Sequence, residues 1–220
     1  MKRLILLMIT CYCLLPGHAN TDIASDSLLQ VLQTLPHDTT RLSTLNDIIK
    51  IEQNNYKCIQ YSDTLMQEAL KLKNDKYASL AAYYHLLYYY NRSEQDSVAK
   101  WIVRMEPYVQ RSGLWDYFFD AQRFQIDLYT FTEQYELAIS EANKMKQKAL
   151  NTNSNRGTVA AYQCLSNAYI GSQRWNEGLK ALEEAYRLLP KKGNAVVHIS
   201  VLSQLVSVTK EMKDNNRQLK

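Results

Sequence analysis

A chain of 220 residues with 46% hydrophobic content can bury a substantial core. Six glycines and four prolines are too few for a sheet-rich fold with many tight turns, which leaves helix as the expectation. The formal net charge of +4 is spread along the chain and gives no electrostatic reason to expect nucleic acid.

Met1-Lys2-Arg3 opens the chain and is followed by an almost unbroken apolar run over residues 4–15. Pro16 and Gly17 end that run, and Gly17-His18-Ala19 places small residues at the −3 and −1 positions before Asn20. A basic start, a short apolar stretch and a small-residue cleavage point describe a secretory signal peptide. Residues 1–19 are therefore expected to be removed and 20–220 to be exported, on the periplasmic side of a bacterial inner membrane. The apolar run is about 12 residues, short of the roughly 20 that cross a bilayer, so a membrane anchor is the weaker reading. Cys11 and Cys13 follow Thr10 and Tyr12, whereas lipoprotein processing needs a small residue before its cysteine. Removal leaves Cys58 and Cys164 and lowers Lys plus Arg from 26 to 24, against 22 Asp plus Glu. No later segment approaches transmembrane length.

Apolar residues then keep helical spacing in successive blocks: Leu42, Leu45, Ile48 and Ile49, then Leu65, Ala69 and Leu72. Tyr83, Leu86, Leu87 and Tyr90 follow, then Phe124, Leu128 and Phe131, then Leu179, Leu182, Ala185 and Leu189. These blocks predict a leading helix over 27–35 and helix pairs over 40–73, 76–110, 115–150 and 157–189. A further helix over 195–212 is apolar nearly all round. A terminal unit normally needs a polar outer face, so that helix is expected to be covered by a continuation of the chain or by a second copy in a homodimer.

The unit at Val159–Lys192 contains Tyr162-x2-Leu165-Ser166-x2-Tyr169, then Gly178-x3-Leu182, Ala185 and Pro190. It resembles the tetratricopeptide repeat, whose pattern is W-x2-L-G-x2-Y, then A-x3-F, then P. Weaker echoes lie upstream. Tyr129 and Ala138, and before them Tyr90 and Ala99, align with Tyr169 and Gly178, while Tyr135, Asp96 and Tyr56 align with Trp175. Every step back from Trp175 through those three positions is longer than the consensus unit, and the polar stretch 151–157 is predicted to be one inserted loop. The resemblance implies an all-α, right-handed TPR-like helical solenoid of about four helix pairs plus flanking helices, in which each pair buries its neighbour's apolar stripe.

In that family the first helix of each pair lines the concave surface. Carried over, its positions predict a protein- or peptide-binding groove of Tyr84, Tyr88 and Asn91, then Asp120, Arg123, Asp127 and Thr130, then Gln163 and Asn167. Tyrosine supplies large contact area with one polar tip, which suits extended peptides or helices. Members that clamp a C-terminal carboxylate carry Lys and Asn there, but an anionic end would here meet Asp120 and Asp127. Arg123 and Asp127 could equally be an ordinary i,i+4 surface pair.

Catalytic and metal signatures are missing: His37, His85 and His198 are far apart, and no H-x3-H, H-E-x2-H, G-x-S-x-G, phosphate loop or dinucleotide fingerprint appears. The expectation is a binding protein that is no enzyme and needs no cofactor or metal. Cys58 and Cys164 fall in distant units and are expected to be separate buried thiols. The opening, with Ser25-Asp26-Ser27-Leu28-Leu29 and then Leu35-Pro36-His37-Asp38-Thr39-Thr40-Arg41-Leu42, resembles the exported repeat region of bacterial sensor histidine kinases and related regulators. That resemblance implies the sensory input part of a larger signalling protein. A free-standing periplasmic scaffold for an envelope complex is one alternative, and the front of a membrane histidine kinase whose enzyme part follows Lys220 is another.

Overall fold

A computed structural model describes residues 18–52, 56–190 and 195–218, with side chains over 25–52, 56–190 and 195–212. Among the described residues there are ten helices and no strand. They are α1 His18–Thr34, α2 Thr39–Glu52, α3 Lys57–Lys71, α4 Asp75–Tyr90, α5 Gln95–Ser112, α6 Trp115–Phe131, α7 Tyr135–Asn151, α8 Asn155–Gly171, α9 Trp175–Arg187 and α10 Ala195–Gln218. The predicted signal sequence lies outside the described residues, save that its last two residues begin α1. Among the described residues, no helix is long and apolar enough to cross a membrane.

One backbone device separates the helices from α3 to α9. The evenly spaced positions 73, 93, 113, 133, 153 and 173 all have positive φ. Only the one at 113 is glycine; the others are Lys73, Ser93, Glu133, Asn153 and Gln173, with φ of 51° to 63°. At each of those five, the next residue donates its N–H to the carbonyl five positions back. The bonds are Asn74 to Ala69 at 2.8 Å, Glu94 to Tyr89 at 3.1 Å, Gln134 to Tyr129 at 2.8 Å, Ser154 to Ala149 at 2.8 Å and Arg174 to Tyr169 at 2.7 Å. The left-handed residue itself donates to the carbonyl three back, completing a Schellman cap that satisfies the last carbonyls of the helix.

Helix starts inherit this spacing. Asp75, Trp115, Asn155 and Ala195 open α4, α6, α8 and α10 at one constant interval, twice that of the stops, and Gln95, Tyr135 and Trp175 keep it for α5, α7 and α9. The sequence alignment is therefore one residue out in its second unit. Tyr89, not Tyr90, matches Tyr129 and Tyr169, and Gln95, not Asp96, matches Tyr135 and Trp175. Fully buried Val98, not half-buried Ala99, matches Ala138 and Gly178. The inserted loop is also corrected. Only Thr152–Ser154 leave helical geometry, and the surplus over the consensus length lies in helices of 16 to 18 residues. The polar composition of 151–157 is cap chemistry: Thr152 Oγ1 donates to the Lys148 carbonyl at 2.9 Å, and Ser154 Oγ accepts from Gly157 N at 3.0 Å.

Each helix packs on its neighbours in the chain, and α2, α4, α6 and α8 also pack side by side. One apolar core runs from Leu32 to Ala181, and a smaller one joins Val159, Ala185 and Val201 beside α10. The leading helix docks through Leu28, Leu29 and Leu32 and through a buried bond from Ser25 Oγ to Glu52 Oε1 of 2.7 Å. Predicted over 195–212, α10 runs on to Gln218, and Val196, Ile199, Leu202 and Val206 remain exposed along it. Close approach rests on small residues: a Cβ on Gly178 would lie 2.7 Å from Ile170 Cγ1 and 3.3 Å from the Ser166 carbonyl.

Two glycine substitutions separate the two constraints. Gly113→Ala meets no atom within 4 Å but keeps φ at 75°, so thermal unfolding should register a loss of about 1 kcal/mol from backbone strain alone. Gly157→Ala would place a Cβ 2.4 Å from Phe119 Cδ2 in the core, and the expected cost is about 1–3 kcal/mol despite alanine's better helix propensity. Glu133→Gly relieves a left-handed residue and should raise the melting temperature.

Candidate functional site

Helix α6 buries Phe118, Phe119, Ala121, Ile126 and Leu128 and turns Asp120, Arg123 and Asp127 along another face. Gln163 and Asn167 occupy the matching places on α8, one helix pair further on. These five, all predicted for the groove, line one cleft of about 300 Å³ between α6, α8 and α10. Val159, Ala160 and buried Cys164 form its α8 wall, and Val196, Val197, Ser200 and Gln204 close it from α10.

The charged end is a ladder. Arg156 Nη2 lies 2.7 Å from Asp120 Oδ2, and its Nη1 lies 3.6 Å from Asp116 Oδ2. Arg123 sits between the aspartates at longer range, with Nε 3.9 Å from Asp120 Oδ1 and Nη1 3.5 Å from Asp127 Oδ2. Its guanidinium also stands 4.7 Å from the Phe124 ring centre. Burial raises both Asp120 and Asp127 above the usual carboxylate range, offset in part by Arg156 and Arg123 for the first and by Arg123 for the second.

The other end is a chain of amides. Gln163 Nε2 donates to Ser200 Oγ at 3.1 Å and to Gln204 Oε1 at 2.8 Å. Gln204 Nε2 in turn donates to Asn167 Oδ1 at 3.2 Å. The i,i+4 pair of Arg123 and Asp127 thus exists, but within a larger polar assembly spanning three helices.

The remaining predicted residues do not join the cleft. Tyr84 is corrected outright: it is 4% exposed and its hydroxyl donates to Asn46 Oδ1 at 2.9 Å, locking α4 to α2. Tyr88 is half-buried under the Arg92 guanidinium, 3.4 Å from the ring centre, and Asn91 is exposed at the end of α4. Thr130 Oγ1 donates to the Ile126 carbonyl at 3.0 Å. The one-residue slip accounts for the α4 set, because one step turns a helix by about 100°. In the register of the helix starts Tyr83 matches Arg123 and Gln163, whereas Tyr84 matches Phe124 and the buried Cys164. Tyr83 indeed faces α6, 5.0 Å edge-on from Tyr117, and burial beside Asp120 pushes its hydroxyl up to about 12. Arg156, Ser200 and Gln204 were not anticipated. A strictly constant interval would have placed Ser200 near the site, but nothing in the sequence pairs Arg156 with Asp120.

Among the described residues no group of three His, Cys, Asp or Glu could hold a metal, and Cys58 and Cys164 are buried and unbridged. The most perturbed histidine, His85, is a core group. It is 3% exposed and stacked on Trp101 with ring centres 4.0 Å apart and planes 4° apart. Its Nε2 lies 3.1 Å from Asp63 Oδ1 but off the hydrogen-bond direction. Comparison of the chain with protein-family models, with curated proteins and with solved structures gives no match.

Burial, assisted by Arg104, holds His85 down at about 4, while Asp63 opposes the shift. Between about 6.5 and about 4 the unfolded chain binds this proton and the folded chain does not, so stability is lost as pH falls through that window, by about 1.4 kcal/mol per pH unit. His85→Phe keeps the stack on Trp101, and its unfolding free energy should lose this slope when measured against the parent chain from pH 7 to pH 4.

Proposed function

We propose that the chain is an exported recognition module that binds a protein or peptide on its first-helix face and performs no chemistry. One observation carries this reading: five of the nine residues chosen for the groove by family position alone come together from α6 and α8 on one cleft. The evenly repeated helix pair supports a TPR-like array, longer per unit than the consensus. A cleft of valines, amides and balanced charges offers contacts suited to a peptide. Under this reading residues 1–19 direct export to the periplasm, and the module serves as the sensory input of a larger signalling protein. The free-standing envelope scaffold uses the same face and differs only in what the chain is joined to.

The double variant Arg123→Ala/Asn167→Ala should capture at least about tenfold less partner from an envelope extract than the parent chain, with unchanged helical circular dichroism. Equal capture would move binding to another face. N-terminal sequencing of the protein recovered from the periplasm should begin at Asn20. A reading frame that stays open past codon 220 into about 20 apolar residues favours the sensor, and a stop there favours the scaffold.

A further inference from the structure

Two carboxylates, Asp120 and Asp127, and two guanidiniums line the cleft, while a third carboxylate, Asp116, holds Arg156 from outside that lining. Arg156 is committed to Asp120 and Asp116. Asp127 has one partner, Arg123, at 3.5 Å, although its side chain is only 27% exposed. Asp127 is therefore the more weakly paired of the two carboxylates that line the cleft, since Asp120 has Arg156 at 2.7 Å. At the amide end, Gln163 Oε1 and Asn167 Nδ2 make no hydrogen bond among the described residues, while their other amide atoms do. One acceptor and one donor thus remain, the complement of a single peptide unit.

Size narrows the occupant. Ligand pockets run from about 300 to about 1,000 Å³, and this one, at about 300 Å³, admits one long side chain and its backbone rather than a larger molecule. Val159, Val196 and Val197 supply an apolar wall for an alkyl stem with a charged tip. An anionic group would meet Asp120 and Asp127 with both arginines already engaged.

We propose that the α6–α8–α10 cleft is the anchor pocket for one lysine or arginine side chain of a bound peptide, with Asp127 as its carboxylate partner and the free edge of Gln163 and Asn167 taking the adjoining backbone. This rests on the reading of the chain as a peptide-recognition module. Burial raises the Asp127 carboxyl, so its charged form opposes folding above that pKa. A bound cation reverses that opposition, and Asp127→Asn removes it.

The test is an NMR titration of the isotopically labelled full chain with blocked single residues: the N-acetyl, N-methylamide forms of lysine, arginine, norleucine and glutamate, with putrescine as a free diamine. The lysine and arginine forms should give saturable shifts at Asp127, Gln163 and Asn167 that weaken with added salt. The norleucine and glutamate forms should bind at least about tenfold more weakly. In Asp127→Asn the preference for the cation should vanish while the melting temperature at neutral pH is not lowered. Norleucine equal to lysine, or glutamate preferred, overturns the proposal on the parent chain alone, whatever the variant does. Putrescine binding as well as the lysine form overturns the peptide assignment in favour of a free amine. If the probes show no preference while partner capture still depends on Arg123 and Asn167, this inference fails and the module reading stands; if capture is also indifferent, both fail.

Discussion

Everything else in the fold depends on where each helix is made to stop. A residue in the left-handed region ends a helix at each of the evenly spaced positions from 73 to 173, and five of those six carry a side chain that disfavours the conformation. Lys73, Ser93, Glu133 and Gln173 each oppose folding by roughly 1–2 kcal/mol, and Asn153 by less. What holds them there is the pair of backbone bonds that each cap closes, together with hydroxyls such as Thr132 Oγ1 and Thr152 Oγ1 that bind the carbonyls four residues back, at 2.8 and 2.9 Å. Because the stops are evenly spaced, helices match in length and the same face returns with every second helix. A single altered stop would rotate every later helix out of register.

That register brings one side of each first helix against the next, and the chemistry there changes along the chain. The junction of α2 and α4 is a buried bond from Tyr84 to Asn46. Between α4 and α6 it is aromatic, with Tyr83 on Tyr117 and Tyr90 4.5 Å from Phe124. Between α6 and α8 it is the ion pair of Arg156 with Asp120, and between α8 and α10 it is amides. Aromatic rings fill a junction completely, whereas ions and amides hold it at a distance set by hydrogen bonds. The open cleft accordingly appears where the aromatics stop.

How much of this was legible follows from what a sequence pattern can carry. Every helix pair was, because apolar spacing and caps are local. The period was too, to within one residue. The slip arose at Tyr83-Tyr84-His85-Leu86-Leu87-Tyr88-Tyr89-Tyr90, where nearly every residue is aromatic or apolar and no polar residue marks the outward face. The pattern therefore turns Tyr84 and Tyr88 onto the wrong side of α4, whereas Arg123 and Asn167, in units that keep the constant interval of the helix starts, fall on the cleft. Asn151-Thr152-Asn153 resembled a loop because residues that favour turns also make caps. The bond from Arg156 to Asp120 spans 36 residues and two helices, and no local pattern records it.

The cleft is walled on one side by the last described helix. Its α10 side belongs to a helix anchored by buried Val201 and Val208 and by the hydrogen bonds of Gln204 and Ser200. Val196 belongs to two surfaces at once, lining the cleft and opening the exposed stripe that continues through Ile199, Leu202 and Val206. A body packed on that stripe would press on the same helix that shapes the cleft, through side chains one turn away. Amide hydrogen bonds contribute about 1 kcal/mol each, so the burial of Val201 and Val208 and the three bonds of Gln163 and Gln204 together set where α10 closes the cleft.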